Sequence, residues 1–317
     1  MSLPAASQAS RADTALACAG PVLAVQSFVA AGRVGHRAGS FALERLGREV
    51  VQIPTTLLSG HAATPGVAGR KLPAAEIDAL LGGVAKAGVL PKLSAVLTGY
   101  LGSAETVGVV ARMLTAPRDP SVGQGSPDSA GRLAPGIPVL CDPVLGDEGP
   151  GLYLPAEVGE AYRTQLLPHA AVATPNAFEL GWLTGRRPQS VRDAVLAARA
   201  LGPPRVFVTS LVEGLAEGQI GILAVTPNSA HLAATPRFEA DPKGAGDLCA
   251  ALLLDAVLRG AAPGDAAASV AGRLHAVIDA SLRAGHRDGL DLIGAQALLD
   301  PAAAVEGSAV SLASLEF

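Results

Sequence analysis

The sequence predicts a three-layer α/β fold, in which a mostly parallel central sheet is covered by helices on both faces. Two observations carry this. Short apolar runs alternate with longer amphipathic stretches along most of the chain, the pattern of successive βα units. Hydrophobic residues make up 49% of the 317 positions and charged residues only 16%, which is enough apolar surface to fill a core on each side of a sheet.

The elements follow in order. Val22–Gln26 reads as a buried strand and Val34–Leu46 as a helix ended by Gly47. Val50–Thr55 is a second strand, and Pro73 opens a helix over Ala74–Ala87. Ala95–Leu97 runs as a strand into Gly99-Tyr100-Leu101-Gly102, and Ser103 is placed to cap a helix over Ala104–Leu114. The Pro/Gly/Ser-rich stretch 116–136 has no periodicity and reads as a surface insertion. Beyond it lie a strand at Pro138–Cys141, a helix near Glu157–Leu166 and a strand at Ala171–Ala173. Helices near Ala177–Thr184 and Val191–Leu201 come next, then a strand at Val206–Thr209. Gln219–Thr226 and Ala230–Ala234 form a two-stranded element, and the helices Asp247–Leu258 and Ala266–Arg283 close the pattern. Residues 21–300 are therefore expected to form a single domain, with a loose extension at 1–20 and a tail at 301–317.

Composition excludes several function classes. The net charge of −4 and the 3% aromatic content offer neither phosphate neutralisation nor base stacking, so nucleic acid is not an expected partner. No uncharged apolar run approaches the length of a membrane span. The apolar segment Ala15–Ala31 is the one candidate targeting signal, but a single Arg11 precedes it, Pro21 interrupts it, and its second half is needed as a core strand. Cys18, Cys141 and Cys249 have neither disulfide nor zinc spacing, which fits a reducing, cytoplasmic setting. The six histidines show no metal-site pairing. The sequence also lacks a Walker A loop, a dinucleotide fingerprint, a G-x-S-x-G elbow and an H-E-x-x-H helix.

Nearly every polar cluster falls in a loop after a strand, where ligands bind in such sheets. The strongest is Lys243-Gly244-Ala245-Gly246-Asp247 ahead of an apolar helix. Small residues entering a helix leave main-chain N–H groups open to an anion, aided by the helix dipole. Asp247 beside them either caps the helix or takes a proton from a hydroxyl attacking a bound phosphoryl group. Asn176 and Glu179, three apart, match a capping box, and equally set an amide and a carboxylate where nucleotide-borne Mg²⁺ could be held. Asp142 and Asp147 in Cys141-Asp142-Pro143-Val144-Leu145-Gly146-Asp147 end a buried strand, suited to Mg²⁺ or phosphate or to an Asx turn. Cys249 reads as a packing residue.

Taken together these segments resemble the pyridoxal kinases, a family of the ribokinase-like (PfkB carbohydrate kinase) superfamily. The similarity runs from about Val22 to the final helices. It includes Val25-Gln26-Ser27-Phe28-Val29 with Gly32-Arg33-Val34-Gly35, then Ser59-Gly60-His61 and Thr98-Gly99-Tyr100-Leu101-Gly102-Ser103-Ala104-Glu105. Asp142–Asp147, Thr174–Glu179, Val208-Thr209-Ser210 and Gly244–Asp247 follow in the family order. The resemblance implies a ribokinase-like fold and Mg²⁺- and ATP-dependent phosphorylation of the 5′-hydroxymethyl group of pyridoxal, pyridoxine or pyridoxamine, a salvage step for vitamin B6. It implies Asp247 as general base and Gly244, Ala245 and Gly246 as an anion hole. Asp142 and Glu179 would act on Mg²⁺ or its waters, Asn176, Thr209 and Ser210 would contact nucleotide phosphates, and Ser27, His61 and Tyr100 would face the pyridine ring. It further implies a homodimer and activation by a monovalent cation such as K⁺. Phe28, His36 and Ala62 depart from the family pattern on the substrate side, and Ala245 is a mild change between the glycines. A hydroxymethylpyrimidine (phosphate) kinase and a catalytically idle B6-binding protein are the alternatives. The first tends to carry Cys in place of Asp247, and the second would have no need of that acid.

Overall fold

The structure, a computed structural model, describes residues 20–115, 133–301 and 311–314. Most of the expected N-terminal extension, the core of the 116–136 insertion and most of the expected tail lie outside the described residues.

The strand β1 (Val22–Val29) shows why the sheet must be covered twice. Leu23 and Val25 point into one core and Val22 and Ala24 into the other, and all four are fully buried. The same alternation recurs in β4 (Ala95–Thr98), β5 (Val139–Cys141), β8 (Val172–Ala173) and β9 (Arg205–Leu211). With β2 (Val50–Leu58) these strands form a parallel core in the order β2-β1-β4-β5-β8-β9. Antiparallel strands extend both edges. A short β3 (Gly69–Lys71) pairs with β2, while β10 (Gln219–Val225), β11 (Ala230–Pro236) and β12 (Ser311–Ser314) continue from β9. The mostly parallel three-layer architecture is thus as the sequence predicts. The alternation signal is too short to reveal β3, β12 or the hairpin of β6 (Gly146–Asp147) and β7 (Gly151–Leu152).

One face carries α2 (Ala74–Lys86), α3 (Ala104–Thr115), α4 (Ala156–Ala161), α5 (Ala177–Thr184) and α6 (Val191–Ala200). The expected helix near Glu157–Leu166 is α4 followed by a π-helical turn, Tyr162–Leu166. The other face carries α1 (His36–Arg45), α7 (Ala245–Leu258) and α8 (Pro263–Arg283). Every residue of α7 from Leu248 to Ala256 is buried, because the helix lies between the sheet, α1 and α8. A helix apolar all round has no solvent face, as expected for an interior element.

Asp255 is the polar exception within α7. Its side chain is fully buried, and Arg48 Nε, 4% exposed, donates to one carboxylate oxygen at 2.6 Å while Arg259 Nε donates to the other at 2.7 Å. This bridge ties the turn after α1 to the far end of α7. His36, the departure from the family pattern, is also structural. Buried at the start of α1, it bonds Ser40 Oγ through Nδ1 (3.0 Å) and the Ile53 carbonyl through Nε2 (3.1 Å), and burial pushes its imidazole down to about 4. The ring therefore stays neutral at physiological pH and pins α1 to β2.

Removing one partner of a buried pair strands the other charge. Asp255→Ala is expected to cost about 3–5 kcal/mol in a denaturant titration, because Arg48 would remain buried without its acceptor.

Candidate active site

The site is assembled where α1 and α7 begin, over the carboxyl ends of the parallel strands. Gly244, the N-cap of α7, has φ +94°, and a Cβ there would overlap the Arg33 carbonyl oxygen. Only glycine lets the chain turn so close to the loop before α1. No side chain caps α7, so the first main-chain N–H groups of the helix, at Ala245 and Gly246, are left without a side-chain partner, and both residues line the cleft.

Asp247 sits in the first turn of α7, half-buried. Burial pushes the acid up to about 6, against the pull of the nearby Gly35 amide and its own main-chain amide. Gly35 is itself left-handed (φ +55°), and a side chain there would collide with the carbonyl and hydroxyl of Ser27. Gly35 is therefore close to both Ser27 and Asp247, which brings the head of α1 to the first turn of α7.

Asn176 and Glu179 form the full capping box. Asn176 Oδ1 accepts from Glu179 N–H (2.8 Å), and Glu179 Oε2 accepts from Asn176 N–H (2.9 Å). The box also reaches outward, because Glu179 Oε1 accepts from Leu145 N–H (2.9 Å) and Asn176 Nδ2 donates to the Gly146 carbonyl (2.8 Å). Glu179, pushed up to about 8 by burial against those amides, thereby shapes the acidic loop after β5. Asp142 in that loop accepts from the Thr174 hydroxyl at 2.8 Å. Burial, then the charges of Glu179 and Asp247, hold its carboxyl well above the usual range. These three acids are electrostatic neighbours.

A β-bulge aims the next pair. Val208 pairs with Leu223 and Leu211 with Gly221, so Ile222 of β10 faces both Thr209 and Ser210 of β9. Ser210 adopts φ +53°, the only left-handed non-glycine among the described residues. Thr209, Ser210, Asn176, Ala245 and Gly246 all line one cleft of about 500 Å³.

Ser27, His61 and Tyr100 do not line that cleft. His61, in the loop between β2 and β3, accepts from Ala63 N–H and is lowered in pKa by burial and then by nearby Lys243. Tyr100, after β4, lies under Lys71 Nζ at 5.8 Å from the ring centre, and its carbonyl accepts from Thr55 Oγ1 at 2.6 Å. Its loop hangs on buried Tyr162, whose hydroxyl donates to the Gly99 carbonyl (2.6 Å) and accepts from Leu101 N–H (3.2 Å). Tyr162 begins the π turn, a device that re-aims a side chain out of helical register. Sequence reading offers no signal for that strut, nor for Gly35 as the partner of Asp247.

Among the described residues no group of three or more His, Cys, Asp or Glu converges tightly enough to hold a metal alone. Both oxygens of Glu179 are engaged by amides, whereas Asp142 uses one oxygen for Thr174. The donors fit a hydrated Mg²⁺ carried on nucleotide phosphates better than a protein-bound ion.

An uncapped helix start, an adjacent basic carboxylate and a cleft with polar loop residues define a kinase that phosphorylates an alcohol. The comparisons agree. Residues 130–290 match the phosphomethylpyrimidine kinase family model. The chain is 36% identical to the pyridoxal kinase PdxY of Rubrobacter xylanophilus over 87% of this chain and 92% of that protein. It is 39% identical to the pyridoxine/pyridoxal/pyridoxamine kinase of Bordetella avium over 76% of this chain and 78% of the relative. Its fold superposes with a TM-score of 0.80 on the Leishmania donovani pyridoxal kinase solved with ADP and pyridoxamine, at 28% identity, covering 93% of this chain and 99% of the other. The chain belongs to the pyridoxal kinase family.

Gly244→Ala tests the tight turn. The added methyl should displace the α7 start and lower stability by about 1–3 kcal/mol. Calorimetry on the folded variant should show ADP affinity falling at least about ten-fold.

Proposed function

We propose that the protein is an ATP-dependent kinase that phosphorylates the 5′-hydroxymethyl group of pyridoxal, and of pyridoxine and pyridoxamine, giving pyridoxal 5′-phosphate and its analogues for vitamin B6 salvage. The observation that carries the mechanism is the adjacency of two devices: the start of α7, which no side chain caps, and the Asp247 carboxylate in its first turn near the Gly35 amide. The vitamer's hydroxyl oxygen attacks the terminal phosphorus of ATP, its proton passes to Asp247, and ADP departs. The amides and the α7 dipole stabilise the charge developing on the transferred group, so the protein's work is positional and electrostatic. An acid near 6 is ionised at neutral pH yet basic enough to accept the proton.

Around that centre, Thr209, Ser210 and Asn176 serve the nucleotide phosphates, with Asn176 acting also as the helix cap. Asp142 would meet the waters of nucleotide-borne Mg²⁺, which neutralises phosphate charge when bound, and Glu179 would keep the acidic loop in place. Ser27, His61 and Tyr100 are assigned to the vitamer, supported for Ser27 by its closeness to Gly35 at the head of α1. K⁺ activation, a homodimer, a cytoplasmic location and a single domain over residues 21–300 rest on the family resemblance and composition. Among the described residues no helix is long and apolar enough to cross a membrane.

Purified protein with Mg-ATP should convert pyridoxal to its 5′-phosphate, followed by absorbance. Turnover of hydroxymethylpyrimidine alone would move the assignment to the pyrimidine kinases named by the family model, and vitamer binding without turnover would make the protein an idle B6 binder. Asp247→Asn should lower kcat by about 10²–10⁴-fold while nucleotide still binds.

The raised acid also fixes two pH effects. Only ionised Asp247 accepts the proton, so kcat/KM should climb as pH rises through about 6 and then level off. A carboxyl with its folded pKa above its unfolded one costs stability as pH rises past the unfolded value. Asp247→Asn should accordingly raise Tm at pH 7.5 and have little effect at pH 4.

A further inference from the structure

The loop that carries Tyr100 is gripped from two sides. It leaves the sheet without a break, since the Gly99 N–H donates to the Val25 carbonyl at 3.0 Å. Its next polar groups are met by side chains. The Tyr162 hydroxyl donates to the Gly99 carbonyl (2.6 Å) and accepts from the Leu101 N–H (3.2 Å), and the Thr55 hydroxyl donates to the Tyr100 carbonyl (2.6 Å). The peptide groups on both sides of Tyr100 are thereby fixed, while its ring is only half-buried. Both grips belong to the interior, for Tyr162 is wholly buried and Thr55 is 1% exposed. Burial holds the Tyr162 phenol well above its usual value, so the hydroxyl keeps the proton that it donates. Tyr162 reaches the loop from the first position of the π turn Tyr162–Leu166, a local geometry that recurs at functional sites.

We propose that Tyr162 is a positioning residue for the alcohol substrate: its hydroxyl, together with that of Thr55, holds the Tyr100 ring in the place where it packs beside the vitamer. The inference rests on the kinase reading for the ligand and assigns a residue that the reaction itself does not touch. A ring on a loop that is already ordered need not be ordered by the ligand, so the clamp strengthens binding by preorganisation. Its effect is confined to one substrate. Thr209, Ser210, Ala245 and Gly246 line the nucleotide cleft, whereas Thr55, Tyr100 and Tyr162 do not. Loosening the clamp therefore weakens the alcohol and spares the nucleotide.

Tyr162→Phe keeps the ring and removes both of its hydrogen bonds. With Mg-ATP, KM for pyridoxal should rise about five- to twenty-fold, while KM for ATP stays within about two-fold and kcat within about three-fold, the pattern of lost uniform binding. Thr55→Val, close in shape, should move KM for pyridoxal in the same direction. Hydrogen exchange gives a readout free of ligand: the Leu101 amide should exchange at least about ten-fold faster in Tyr162→Phe. In a Tyr100→Ala background, Tyr162→Phe should change KM for pyridoxal by less than about two-fold, because the ring it positions is gone. A merely structural tyrosine would lower the fraction of active enzyme, and hence kcat, without moving KM. An unchanged KM for pyridoxal in a folded Tyr162→Phe protein, equal rises in both KM values, or full additivity with Tyr100→Ala would overturn the proposal. If the unaltered protein phosphorylates hydroxymethylpyrimidine and no vitamer, the B6 reading fails, and the same split measured with that alcohol leaves the clamp standing. If it binds pyridoxal without turnover, the kinase reading fails, and the calorimetric Kd for pyridoxal takes the place of KM in deciding on the clamp.

Discussion

The approach of the Gly35 amide to the Asp247 carboxylate is the constraint on which the site depends. It joins the start of α1 to the start of α7, two helices from opposite ends of the chain that share one face of the sheet. Both partners exist only because their neighbours are glycine-thin: Gly35 lets Ser27 approach, and Gly244 lets the loop before α1 approach. The same approach works against burial in setting the basicity of the acid. Geometry and proton affinity are therefore outcomes of one contact.

Everything beneath this contact serves to keep it fixed. The buried Arg48–Asp255–Arg259 bridge anchors the far end of α7, and His36 pins the head of α1 to β2. The capping box of α5 does the equivalent on the nucleotide side, where a helix cap also shapes the loop bearing Asp142. Of the two readings of the Asn176–Glu179 spacing, the hydrogen bonds show the capping box, extended to the loop after β5.

The parallel core was legible because both faces of each central strand are apolar, and the helices because their start signals are local: Pro73 before α2, Ser103 before α3 and Asn176 before α5 all stand where the caps lie. The uncapped start of α7 was legible for the same reason, since the small residues Gly244, Ala245 and Gly246 ahead of an apolar run carry no capping side chain. What escaped is set by distant contacts. The approach of Gly35 to Asp247 spans most of the chain, and Tyr162 reaches Gly99 only through a π turn whose residues are indistinguishable from α-helix formers. His36 looked like a substrate-side departure, yet its partners are Ser40 and the Ile53 carbonyl, which no local pattern discloses.

The bulge in β9 has a consequence for how this site can vary. In a regular strand Val208 and Leu211 would lie on opposite faces, yet both are buried in the same core, because the extra residue restores the alternation after Thr209 and Ser210. Deleting one of the two residues would leave Val208 and Leu211 two apart and on one face of a regular strand, with a single side chain opposite Ile222 where two now line the cleft. The added residue is what lets consecutive polar side chains reach the cleft while the last residue of the strand still returns to the core.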